Sequence, residues 1–527
     1  MLSRTLVSAI LSSAMAVSAA AQNPLWELRG THADQRLGQG LRSFGDLDGD
    51  GKDEIAATYA RGIRILRGSD GALVRTLDRA QGVLGDVDGD GVLDVWAAVR
   101  TPPEPSGLWT QTDVLSGADG SLLTRWPWSD TLGPLGVEFG APIAFDDADG
   151  DGREDFLRVD WTLSPSSSIF SARLVSGRSG TVLRSHDDHS WVVPLNDVDG
   201  DGVAEYFLGQ ESSNPLSAAA LISGSTGVTL ASPAPPSLPT YAALATGDAD
   251  GDGARDLAYV LHDSSTIVVS SVTGIVLHAF PELAGMSSDF QSVHGDLDGD
   301  GNDDLVLYDT AARDLVARST SSGSVVQRYG VPSTSWLAGI GDLNSDARDD
   351  LIVGMPLSQD GRGRVLALTA AYSERVGTRY GFGDGTGAPC PCGAPGRAGE
   401  GCANSFGTGA MLSAWGSTSL AAANLSLAAD GLTTDFNLLS DAILFSGAAA
   451  SPAPPAIGNG LLAVRGPHRR LDRALFASWD APSLPAWSSW LPGQTTYFQV
   501  WYRDDAALGS CGASSNTSNA LAITFTP

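Results

Sequence analysis

Lysine is almost missing from this 527-residue chain: of its 32 basic residues, Lys52 alone is a lysine. The bases are outnumbered by 61 acids, the formal charge is −29, and no Lys/Arg run occurs. Sequence-independent binding to nucleic acid or anionic lipid needs a positive patch and is therefore excluded. Cysteine is scarce, with four residues, all beyond position 389. No apolar run after the N-terminal segment approaches the ~18 residues that suggest a membrane-spanning helix. H-E-x-x-H, G-x-S-x-G and phosphate-loop signatures are missing too. What fills the chain is small and turn-forming: 63 glycines, with 42% hydrophobic and 7% aromatic residues. That composition is globular, unlike a disordered acidic tail, and the length suits two to four domains.

The N-terminus reads as a secretory signal peptide over residues 1–21. Arg4 supplies the positive start, residues 5–17 are apolar to small, and Ala19-Ala20-Ala21 precede Gln22. No cysteine stands at the cleavage position, so a lipoprotein is not expected. The expected location is secreted, extracellular or at the cell surface.

Self-similarity sets the architecture. GDLDGDGKDEI at 45–55 recurs as GDVDGDGVLDV from Gly85, DDADGDGREDF from Asp146 and NDVDGDGVAEY from Asn196. It returns as GDADGDGARDL from Gly247, GDLDGDGNDDL from Gly295 and GDLNSDARDDL from Gly341. The first aspartates are spaced 40, 61, 50, 51, 48 and 46 residues apart. Around each loop lie β-prone runs, and turns such as SGADG (116–120) and SGSTG (223–227) suit tight hairpins. Four antiparallel strands per unit and seven units predict a seven-bladed β-propeller over residues 22–376. The seventh unit lacks a good fourth strand, whereas 25–28 (LWEL) is a spare one at the start. This N-terminal strand is expected to complete the last blade and close the ring.

The loops read Asp, x, Asp/Asn, x, Asp, x, x, x, Asp/Glu, with Gly at position 6 in the first six. Oxygen ligands at positions 1, 3, 5 and 9 suit Ca²⁺, which takes six to eight oxygens. The candidate ligands are Asp46, Asp48, Asp50 and Glu54 in loop 1, and Asp86, Asp88, Asp90 and Asp94 in loop 2. Loop 3 offers Asp147, Asp149, Asp151 and Asp155, and loop 4 offers Asp197, Asp199, Asp201 and Glu205. Loop 5 has Asp248, Asp250, Asp252 and Asp256, and loop 6 has Asp296, Asp298, Asp300 and Asp304. Loop 7, with Asp342, Asn344, Asp346 and Asp350, is the weakest because Asn344 and Ala347 break the pattern. Up to seven Ca²⁺ are expected. An EF-hand is excluded, since position 12 is Ala57, Ala97, Arg158, Leu208, Tyr259, Leu307 and Val353 instead of glutamate. With 27 of the 61 acids in these loops, the other 34 nearly balance the 32 bases.

With these loops, and with Gly354-Met355-Pro356 followed by GRGRVLAL (361–368), residues from about 25 to 370 resemble the FG-GAP/VCBS repeat family. Its propellers are similar to the head of integrin α-subunits. The resemblance implies structural Ca²⁺ between the first and second strands of each blade. Binding is expected on the opposite, loop-variable face. Trp109, Trp126 and Trp128 are candidates there for a sugar or protein contact, the competing reading being that they cap a blade. His186 and His189 in SHDDHS are read as a solvated turn and not as a metal pair.

From residue 377 the pattern changes: a Gly-rich linker (377–389) leads to a Cys-containing β domain (390–527). Strand-like runs at 424–428, 442–445, 461–465, 495–502 and 521–525 suggest a β-sandwich. Four cysteines in an exported segment imply two disulfides, and Cys392–Cys402 with Cys390–Cys511 is the favoured pairing of two. GFGDGTG, CPCG, GCANS and FQVWYRD resemble a terminal domain found on many large bacterial secreted proteins. The expected function is a calcium-binding surface or matrix adhesion module, not an enzyme, whose partner is an extracellular protein or glycan. An extracellular carbohydrate-binding or carbohydrate-active protein is the alternative.

Overall fold

A computed structural model describes residues 24–527 except 33–34, 100–110, 128–136, 140–141, 164–167, 210–218, 234–239, 262, 264, 285–294, 310–311, 332–335, 357, 370–374, 434–441, 475–476 and 506–511. The segment 1–21 read as a signal peptide, Trp109, Trp128 and Cys511 therefore lie outside the described residues.

The chain is all-β, and residues 26–368 form six four-stranded antiparallel sheets and one of five strands. The first sheet shows the common plan. Leu41–Ser43 leads into the acidic loop, Ile55–Tyr59 leaves it, Gly62–Leu66 follows, and Leu73–Asp78 forms the outer edge. In the fifth and seventh units the strand after the loop is mostly apolar on both faces, and Leu257–Leu261 and Asp350–Gly354 are buried at every residue. In the last sheet Trp336–Ile340, Asp350–Gly354 and Arg364–Leu368 are joined by Trp26–Arg29 from the N-terminus. Glu27 stands opposite Leu366 and Arg29 opposite Arg364. Successive four-stranded antiparallel sheets of this kind fit a β-propeller.

Neighbouring sheets interlock through their outer strands. Trp26 donates its indole N–H to the Gly68 carbonyl at 2.7 Å, and Arg184 donates to the Gly224 carbonyl at 2.6 Å. Trp126, a candidate for a surface contact or, on the favoured reading, a blade cap, is 2% exposed and stacks on Phe156 with ring centroids 4.2 Å apart. A Cβ on Gly180 would lie 2.2 Å from its ring, so the glycine turn of the next sheet is shaped around this tryptophan. Trp126 therefore caps the blade. Its large apolar surface gains more from burial between sheets than from exposure at a rim.

Residues 377–389, read from the sequence as a linker, carry the strand Thr378–Tyr380, which pairs with Ser515–Thr524. That strand edges a five-stranded sheet, and Met411–Trp415, Ser426–Asp430 and Ser478–Asp480 form a second sheet. Leu412, Leu427, Leu444, Trp479, Phe498 and Phe525 share one core between them. Among the described residues a disulfide joins Cys390 to Cys402, whose Cα atoms are 5.7 Å apart, so the favoured pairing of Cys392–Cys402 with Cys390–Cys511 is corrected. Gly383 makes this closeness physical. A Cβ there would sit 2.3 Å from the Cys402 backbone nitrogen, so the glycine-rich turn lets the two segments approach.

This region is packed onto the propeller. Trp415 and Ala428 join a core with Leu351, Val353 and Leu366 of the last sheet. Buried ion pairs cross the junction: Arg313 to Glu400 at 2.5 Å, and Arg364 to Asp480 at 3.2 Å.

Candidate metal centre

Each acidic loop is a tight turn folded on its own carboxylates. In loop 2 the Asp86 side chain accepts N–H bonds from Gly89 and Asp90 on one oxygen and from Gly91 on the other. Asp88 accepts from Asp90 N–H, and Asp90 from Val92 N–H. The same bonds recur around Asp46, Asp147, Asp197, Asp248 and Asp296. Glycines at positions 4 and 6 take φ near +74° and +88° in loop 2, a backbone that side-chain-bearing residues resist.

The ninth position is different, because it opens the next strand and is buried. Glu54, Asp94, Glu205, Asp256, Asp304 and Asp350 are 0% exposed and Asp155 is 2% exposed. Its carboxylate reaches back to the second residue, as Asp94 does to Val87 N–H at 2.8 Å. Across the sheet it meets the third-to-fourth-strand turn: Asp94 accepts from Gly117 N–H and Asp155 from Gly177 N–H, both at 3.0 Å. Glu54 Oε1, Glu205 Oε1 and Asp304 Oδ1 are buried with no hydrogen-bond donor. Burial pushes Asp94 and Asp155 up to about 6, Asp256 to about 7 and Asp304 to about 8. Backbone donors oppose the shift, and the loop's other carboxylates add to it.

The carboxylates converge. Asp197, Asp199, Asp201 and Glu205 bring one oxygen each within 4.8 Å of the others. Asp46, Asp48 and Asp50 do so in loop 1, Asp86, Asp88 and Asp94 in loop 2, Asp147, Asp149 and Asp155 in loop 3, and Asp248, Asp250 and Asp252 in loop 5. An all-oxygen set of this charge, with buried oxygens that lack a donor, fits a hard divalent cation. In loop 7, by contrast, Asn344 donates its amide to Asp350.

Sequence reasoning missed the residues that wire the loops together. Glu154 of loop 3 accepts Asp86 N–H, Asp146 accepts Ala204 N–H at 2.9 Å, and Asn196 bonds Arg255 N–H and the Gly253 carbonyl. Arg255 pairs with Asp303, Asp349 accepts Asp296 N–H, and Lys52 reaches the Leu343 carbonyl. Loops 2 to 7 are thus joined in order, and loop 7 is joined to loop 1. The available signal was the polar residues flanking the ligand pattern, in which no spacing rule points outward. His186 and His189 are half-buried, with His186 Nε2 2.8 Å from the Tyr206 hydroxyl, and burial lowers both imidazoles.

No family profile matches the chain, and no curated protein matches it. Among solved structures, BBS1N in complex with ARL6DN, from a mercury-soaked crystal, is 9% identical with a TM-score of 0.45. The match covers 66% of this chain and 97% of that one. The lead-soaked crystal of that complex covers 66% and 96% at 7% identity and a TM-score of 0.41. The computationally designed Ika8 protein covers 65% and 99% at 13% identity and a TM-score of 0.36.

Proposed function

We propose that the chain is a secreted, calcium-binding, seven-bladed β-propeller of FG-GAP/VCBS type that serves as a binding or adhesion module at the cell surface or in the matrix. The observation that carries the calcium reading is the convergence of three or four loop carboxylates, joined in loops 2, 3 and 4 by the buried ninth-position acid, together with a buried ninth-position oxygen that has no donor in loops 1, 4 and 6. Burying such charge without a partner is costly, and a bound cation removes that cost. Positions 1, 3, 5 and 9 would hold the ion, whose role is structural: it neutralises the loop and fixes the entry to the second strand. The loop-to-loop bonds, which run from loop 2 through loop 7 to loop 1, stiffen the face that carries the ions. Recognition of a protein or glycan then falls to the opposite, loop-rich face. Among the described residues no helix is long and apolar enough to cross a membrane.

Calcium stoichiometry by native mass spectrometry, with melting curves in Ca²⁺ and in chelator, tests the first half. Fewer than about three bound ions, or an unchanged melt, overturns it. A glycan array and a cell-binding assay run beside a polysaccharide-degradation screen test the second half. Turnover of a polysaccharide without binding to cells or matrix overturns the adhesion reading.

A further inference from the structure

The seventh loop is built differently from the other six. In loops 1 to 6 the candidate ligands take their bonds from backbone N–H groups. The exceptions among the described residues are Arg67 on Asp48 and the hydroxyls of Ser225 and Ser321 on Asp201 and Asp300. In loop 7 two ligand positions are bonded to each other: Asn344 Nδ2 lies 3.0 and 3.2 Å from the two oxygens of Asp350. In this arrangement the amide donates to both oxygens of the carboxylate. The amide nitrogen therefore stands where the other loops present a third-position carboxylate, and the third and ninth positions satisfy each other.

Two further features mark the same loop. Its positions 4 and 6 are Ser345 and Ala347, at φ +64° and +65°, where the other loops have glycine. The chain's single lysine, Lys52 at position 7 of loop 1, donates to the carbonyl of Leu343. Leu343 in turn donates its N–H to Asp350 at 3.0 Å and is 3% exposed in a core with Trp26, Ile55 and Val365. This is the seam between the first and last sheets, where the N-terminal strand is tied in.

We propose that loop 7 is a cation-free closure of the ring, in which the Asn344 amide takes the place of an ion and Lys52 ties loop 1 to the Leu343 carbonyl. Stripping the other loops of calcium then leaves the seam shut. The proposal rests on the calcium reading of loops 1 to 6.

Native mass spectrometry of the full chain in CaCl₂ separates the two ideas. Six ions on the wild type and one more on Asn344→Asp, or on Asn344→Asp with Ala347→Gly, are expected. Seven on the wild type, or no gain in either variant, overturns the closure while leaving the calcium reading intact; no ions on any form overturns the calcium reading itself. Hydrogen exchange in chelator gives an independent readout. Amides 341–350 should keep their protection while 86–94 lose theirs, and Lys52→Met should lose it at 341–350. Equal loss in both segments of the wild type overturns the proposal.

Discussion

Asp480→Asn should weaken this protein more than almost any other single-atom change. Asp480 is 2% exposed and joins the C-terminal region to two strands of the last sheet. It faces Arg364 at 3.2 Å and Arg29 at 3.1 Å, and accepts the Ser426 hydroxyl at 2.9 Å. Glu27 is the other acid of the group, 2.7 Å from Arg364. Removing the Asp480 charge leaves two guanidiniums, one of them 2% exposed, sharing one carboxylate. Breaking a buried pair by removing one partner costs about 3–5 kcal/mol. With an m-value of ~3 kcal/mol/M, the urea midpoint should fall by about 1–1.7 M. Tryptophan fluorescence reports the transition, since Trp479 is adjacent and buried. The loss should persist in high salt, because buried charges are poorly screened. Arg364→Met with Asp480→Leu should lose less than Asp480→Asn alone, since no charge is then left stranded between these two. A midpoint for Asp480→Asn within ~0.2 M of the wild type would refute the assignment of this network as the junction's anchor.

Trp126→Ala should cost about 3–5 kcal/mol in urea unfolding, the range for deleting a buried aromatic ring. In chelator, the metal-free protein should lose stability as pH rises. The ninth-position acids have folded values raised to about 6, 7 and 8, so the native state holds protons that the unfolded chain, with a value of 3.8, releases. Their contribution is complete below pH 3.8 and is lost as pH rises through 6 to 8, and saturating calcium should abolish that slope in a pH series of melts. Replacing Cys390 and Cys402 by serine opens a loop of 12 residues and should lower stability by about 2–3 kcal/mol, read from urea curves with and without reductant.

The loops were legible in the sequence because their carboxylate and glycine positions do local jobs. Asp46 bonds residues three to five positions ahead, and the glycines are demanded by positive φ within the same turn. The strands after the loops were legible for the same reason, and Trp26–Arg29 stood out as a strand with no loop of its own. What escaped is held by non-local contacts. Arg364 and Asp480 are 116 positions apart with no periodic signal between them. Whether Cys390 or Cys392 meets Cys402 depends on how the 381–387 turn folds, not on spacing. Trp126 could be read as a surface or a core residue until Phe156 and Gly180 were seen against it.

The N-terminal strand has a consequence in time. Arg29 pairs with Arg364, 335 positions later, so the strand Trp26–Arg29 is the one in the seven sheets of residues 26–368 that waits longest for its partner. At typical synthesis rates it waits roughly 20–70 s for its partner. Bringing the two together costs about 5 kcal/mol of chain entropy, repaid only when the strand docks. Until then both it and the strand Arg364–Leu368 present unpaired edges, the surfaces on which other chains add. The slowest and most aggregation-prone moment in the life of this protein should therefore be the interval just before its ends meet.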